Sequence, residues 1–86
     1  MDRDMMRELN PLLAIREGQE GIIHSITGGR GLISRLAAMG IAPGIKIKVV
    51  RNSGGPLLIA TNGAKVAIGR GQASKIIIIS LSQGNP

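Results

Sequence analysis

Between Gly31 and Gly44 the apolar positions repeat at helical spacing and then stop. Leu32, Leu36 and Met39 fall at i, i+4 and i+7, with Ile33 and Ala37 beside them, so one face of a short helix is apolar. Ser34, Arg35 and Ala38 take the other face. Gly40 suits the left-handed conformation that closes a helix, and Ile41 can then fold back on the last turn. Pro43 bars resumption, and Pro43-Gly44 makes a turn. The pattern predicts a helix near 31–39, with Met39 in the core.

Elsewhere the period is two. Ile45, Ile47 and Val49 alternate with Lys46, Lys48 and Val50, a half-buried strand with a basic outer face. Strands are predicted near 22–27, 45–51, 57–61, 65–69 and 75–81, and Leu12, Leu13 and Ile15 suggest a short strand before them. Asn62-Gly63 is the strongest hairpin signal, because both positions of a type I′ turn need positive φ. Residues 17–21 and 52–56 read as turns, and Gly69-Arg70-Gly71 as a turn with one helical turn through Ala73. Residues 1–10 read as a flexible leader, 11–82 as the folded domain and 83–86 as a tail. Short strands, tight turns and one short α-helical insertion amount to a mainly β fold, a small SH3-like β-barrel. The apolar run Ile76-Ile77-Ile78-Ile79 must be covered on both faces or expose a patch. Coverage by the helix is the expected solution.

Composition narrows the chemistry. The 86 residues form one domain, with no cysteine and no aromatic residue, so Ile, Leu, Val, Ala and Met must build the core. Without thiols, disulfides and thiolate metal sites are excluded. The net charge is +6, and all five acids (Asp2, Asp4, Glu8, Glu17, Glu20) lie in the first twenty residues. From Gly21 onward there are eight Arg or Lys and no acid, a surface that attracts anionic partners. There is no apolar signal segment, and no apolar run approaches a membrane span. The expectation is a soluble cytoplasmic protein.

Several stretches line up in order with one family: the Gly-Ile-Ile-x-x-Ile strand from Gly21, Gly28-Gly29, and the segment GLISRLAAMGIAPG from Gly31. They continue through Ile47 to Val50, Gly55-Pro56-Leu57-Leu58-Ile59, and Ala67-Ile68-Gly69-Arg70-Gly71, ending with Ala73 before the Ile-rich strand. Over roughly residues 12–81 the chain resembles the FeoA family of small ferrous-iron transport proteins. The resemblance implies an SH3-like barrel and a cytosolic accessory or regulatory role in bacterial Fe²⁺ uptake. It also implies a partner, the cytosolic part of a FeoB-like membrane transporter, and no catalytic residue. A similar barrel closes some metal-dependent repressors, where it follows a DNA-binding helical domain, and that role is not the one expected here.

Fe²⁺ sites draw on His, carboxylate and thiolate ligands. His24 is the sole imidazole and the one metal-ligand candidate, and an ordinary strand histidine is the better reading. Its strand register is open, since Ile23 and Ile26 could share a face through a bulge. No resident cofactor is expected. The loop Gly28-Gly29-Arg30-Gly31 lacks the Gly-Lys-Ser/Thr ending of a P-loop, and Gly69-Arg70-Gly71 falls short of a dinucleotide fingerprint. No nucleophile–base set is present, so an enzyme is not expected. The basic residues make a nucleic-acid-binding or metal-dependent regulatory module the alternative function, but there are no aromatics on which bases could stack. The favoured reading is docking through the helix and its flanking loops, with Arg30, Leu32, Arg35, Met39 and Arg70 as the partner-binding residues.

Overall fold

A computed structural model describes residues 8–81. Six strands form one antiparallel sheet: β1 (Leu9–Pro11), β2 (Glu20–Ile26), β3 (Lys46–Arg51), β4 (Leu57–Thr61), β5 (Ala64–Ile68) and β6 (Ile76–Ser80). Their spatial order is β1-β6-β2-β3-β4-β5. Helix α1 (Arg30–Ala38) is inserted between β2 and β3, and the single turn α2 (Arg70–Ala73) joins β5 to β6. The strand expectations hold, with ends moved by one or two residues. The sheet curls round an aliphatic core, and α2 packs on the turn after β1, bridging the two ends of the sheet.

The N-terminal expectation needs correction. Leu12–Ala14 is a 3-10 helix, not a strand, and the first strand lies earlier, at Leu9–Pro11. Leu12 and Ile15 are both buried. A spacing of three puts them on one side of a 3-10 turn, whereas in a strand they would point to opposite faces. The ordered fold thus reaches into residues 9 and 10 of the expected leader. Residues 1–7 of that leader, and the tail at 83–86, lie outside the described residues.

Alternation sorts the rest. Ile47 and Val49 of β3, Leu57 and Ile59 of β4, and Ile76 and Ile78 of β6 point inward and are fully buried. Lys46, Lys48 and Val50 stay outside. β2 carries a bulge: Ile23 pairs with Ile78, but Ser25 pairs with Ile77. His24 is the extra residue, which lets Ile23 and Ile26 share the inner face. Gly21 also faces inward, where a Cβ would collide with Ile78 Cγ2 and stand 2.7 Å from the Ile79 carbonyl oxygen.

Both turn signals are realised. Asn62 and Gly63 have φ of 51° and 79°, the two left-handed residues of a type I′ hairpin. Gly40, at φ 85°, closes α1. There the Gly40 amide donates to the Ala37 carbonyl and the Ile41 amide to the Leu36 carbonyl, both at 2.9 Å, the paired bonds of a Schellman cap.

That cap explains a second correction. Met39 is 40% exposed rather than in the core. Ile41 folds back beside Leu36, both at 0% exposure, and occupies the space under the helix end, leaving Met39 at the rim. The outer face of β6 is a third. α1 does not run along it, and Ile77 and Ile79 remain partly exposed. They share that face, through the strand register, with Leu9, Pro11 and Ile22.

Candidate docking surface

Leu36 is the one fully buried residue of α1, and Leu32 packs partly buried against the same core. The helix is therefore held by a narrow seam, and its remaining surface is free. With about 100° per residue, Leu32, Arg35 and Met39 fall on one flank of the seam, and Arg30, Ile33 and Ala37 on the other. Met39 and Ile33, at 40% and 39% exposure, are among the few large apolar side chains left in solvent. Each flank thus sets a guanidinium beside an exposed aliphatic side chain. Ile33 belongs to this surface although the sequence assigned it only to the apolar face. At 3.6 residues per turn it sits at the edge of the buried stripe, and only the packed barrel shows that the stripe is too narrow to cover it.

The ends of α1 differ in chemistry. Gly29 is the N-cap and supplies no side-chain acceptor, and no acid stands in the first turn. Arg30 therefore meets the positive end of the helix dipole without compensation, while Arg35 in the last turn sits favourably at the negative end. At the C-terminal end, a Cβ on Gly40 would stand 3.8 Å from Asn62 Nδ2, so the helix terminus adjoins the β4–β5 hairpin turn. Next to that turn is an open depression of about 370 Å³, lined by Glu20, Lys46, Lys48, Ala60, Thr61 and Asn62 among others. Lys46 and Glu20 make an exposed ion pair of 3.7 Å across it, of little energetic weight in solvent.

Arg70 stands apart from this surface. Its guanidinium donates 3.1 Å hydrogen bonds to Asn52 Oδ1 and to the Gly55 carbonyl. Asn52 in turn donates through Nδ2 to the carbonyls of Leu13 (3.0 Å) and Ile15 (2.9 Å), while its backbone amide donates to Glu17 Oε2 at 2.8 Å. The β3–β4 loop, the 3-10 segment and α2 are tied together at this point. The sequence offered Asn52 only as a turn residue, because bonds to partners 35 to 39 positions away leave no local pattern.

His24 is exposed on the outer face, with Nδ1 3.0 Å from Ser25 Oγ. Among the described residues no group of three or more His, Cys, Asp or Glu side chains comes together. No helix among them is long and apolar enough to cross a membrane.

The FeoA domain family matches residues 10–80, almost the whole described chain. The chain belongs to the FeoA family. It is 46% identical over 74 residues to a putative Fe(2+) transport protein A of Methanocaldococcus jannaschii, covering 86% of this chain and 90% of that one. The crystal structure of an iron uptake regulatory protein (FeoA) superimposes with a TM-score of 0.81 at 35% identity, covering 86% of this chain and 99% of that one. A manganese-dependent transcriptional repressor shares the fold, with a TM-score of 0.80 at 24% identity, over 87% of this chain and 43% of the repressor. FeoA-family membership makes this a ferrous-iron transport protein of the accessory, non-enzymatic kind. Its fold is the SH3-like FeoA fold, mainly β with a short helix.

Proposed function

We propose that this FeoA-family protein acts in Fe²⁺ uptake by docking onto the cytosolic part of a FeoB-type membrane transporter, and that α1 is the docking element. The observation that carries this reading is the pairing of free arginines with exposed aliphatic side chains on both flanks of a helix anchored by Leu36. Charge steers the encounter, and apolar contact by Ile33, Met39 and the exposed part of Leu32 holds the pair. Iron is then the cargo of the system, and the protein works on the transporter rather than on the ion.

The test is a calorimetric titration against the cytosolic part of the transporter. Arg35→Glu reverses one of the two free helix charges without touching the core, so binding should weaken by about tenfold or more. Unchanged affinity, with circular dichroism matching the wild type, removes α1 from the interface. A gel shift at moderate salt with a short DNA duplex separates the nucleic-acid alternative, which predicts retardation that disappears as salt rises.

A further inference from the structure

Among the described residues the sheet has two free edges, and they are built differently. β1 is three residues long and ends in Pro11, the short, proline-bearing edge that discourages further pairing. β5 is five residues long, contains no proline, and keeps Ala64, Lys65 and Ala67 exposed. The two-residue Asn62-Gly63 turn makes Thr61 and Ala64 a closely hydrogen-bonded pair, so the alternate pairs Ile59–Val66 and Leu57–Ile68 also exchange bonds. It follows that Lys65 and Ala67 direct their backbone N–H and C=O groups away from β4, toward the open edge.

The side chains near this edge say what it would accept. In the strand register Glu20, Lys48, Ala60 and Lys65 form one row across the outer face, with Lys46 on the same side of β3. Small Ala60 separates the two lysines of the row. Against three lysines the described residues of this face offer a single carboxylate, Glu20, which lies at its far side and pairs with Lys46. A second copy of the chain pairing edge to edge would bring like charges together, which disfavours self-association. A strand carrying carboxylates on the same face would place one opposite Lys65. Nucleic acid would satisfy the lysines, but it cannot complete a peptide ladder and finds no aromatic platform here.

We infer that β5 is a docking edge that takes an extended segment of a partner protein, with carboxylate side chains at alternate positions, as a seventh strand. Backbone bonds to Lys65 and Ala67 supply the affinity, and the Lys46, Lys48 and Lys65 face selects acidic segments. This surface is distinct from α1 and does not depend on what α1 binds.

The test is an NMR titration of the ¹⁵N-labelled full chain with an end-blocked octapeptide of alternating Glu and Val, together with amide hydrogen exchange. The Lys65 and Ala67 amides should shift and exchange about tenfold or more slowly at saturation, and binding should weaken between ~50 and ~500 mM salt. Ala67→Pro removes an outward amide without removing a β4–β5 bond, and should reduce binding about tenfold or more. Lys65→Glu, which leaves every backbone bond in place, should reduce binding severalfold and serves in its stead if the proline variant does not fold. The inference fails if the peptide does not bind at millimolar concentration. It also fails if shifts map to α1 or β1 instead of β5, if Lys65→Glu binds as well as the wild type, or if a peptide with Lys in place of Glu binds equally. Preferential protection of the same amides by a DNA duplex would overturn it in favour of nucleic acid.

Discussion

Arg35 and Arg70 carry the same charge, stand on helices of the same small domain, and have opposite employment. Arg70 is bound into the barrel by two hydrogen bonds, one to the side chain that organises the β3–β4 loop. Arg35 has an exposed aliphatic neighbour, Met39, and lies on a helix with a single fully buried residue, Leu36. One end of the molecule is stitched by polar contacts between distant segments. The other is a thin apolar plug that leaves its charges available. A basic residue therefore cannot be assigned to a partner surface by charge alone; what decides is whether the fold has already given it acceptors.

The contrast can be broken at several points, and the largest effect belongs to the plug. Leu36→Ala removes the one fully buried side chain of α1 and should cost about 3–4 kcal/mol, read as a shift in the urea midpoint. Because Ile41 also packs at the helix end, the loss should be cooperative with the barrel and show as one transition.

Asn52→Ala attacks the other end. It leaves the Leu13 and Ile15 carbonyls without their partner and takes from the Arg70 guanidinium one of its two acceptors, the Gly55 carbonyl remaining, with an expected loss of about 2–3 kcal/mol by chemical denaturation. Affinity for the transporter should stay at the wild-type value once the protein is folded. A change of less than 0.5 kcal/mol, on the order of an ordinary surface substitution, would mean that water replaces these bonds at no cost.

Arg70→Ala and Arg35→Ala make the comparison direct. The first should lower stability by about 1 kcal/mol, discounted for exposure, without altering docking. The second should leave stability within about 0.5 kcal/mol of wild type and weaken docking. The reverse outcome in calorimetry and thermal melts would exchange the roles of the two ends.

The smallest effect is a gain. Gly29 is an N-cap with φ −83° and nothing within 4 Å of a would-be Cβ. Gly29→Ser supplies the missing side-chain acceptor at no steric cost and should stabilise by about 0.5 kcal/mol. A lower melting temperature would show that the loop needs glycine for another reason.

Much of this architecture was legible in advance because it is locally encoded. The helix with its Gly40 stop, the Asn62-Gly63 hairpin and the alternation in β3 each depend on backbone preferences and side-chain period within a few residues. The bulge at His24 was foreseeable as a conflict between Ile23 and Ile26, which strict alternation puts on opposite faces. Where the reading failed, the cause was competition between distant segments. Met39 lost its core position to Ile41, which reaches the same space by a tighter path. Leu12 and Ile15 share a face because a 3-10 turn brings residues three apart together, and a stretch this short carries no period that distinguishes it from a strand.

By itself the sequence determined the fold class, an aromatic-free aliphatic core and the cationic exterior, since these follow from composition and short-range pattern, while the family came through the resemblance of its ordered motifs. Only the tertiary structure decided which cations are free. Arg70 reaches Asn52 and Gly55 across 18 and 15 positions, and Lys48 and Lys65 come onto one face, on either side of Ala60, through two strand pairings. The reason is physical: a guanidinium or ammonium takes its role from the acceptors within hydrogen-bonding distance, and chain folding, not chain order, puts those acceptors there.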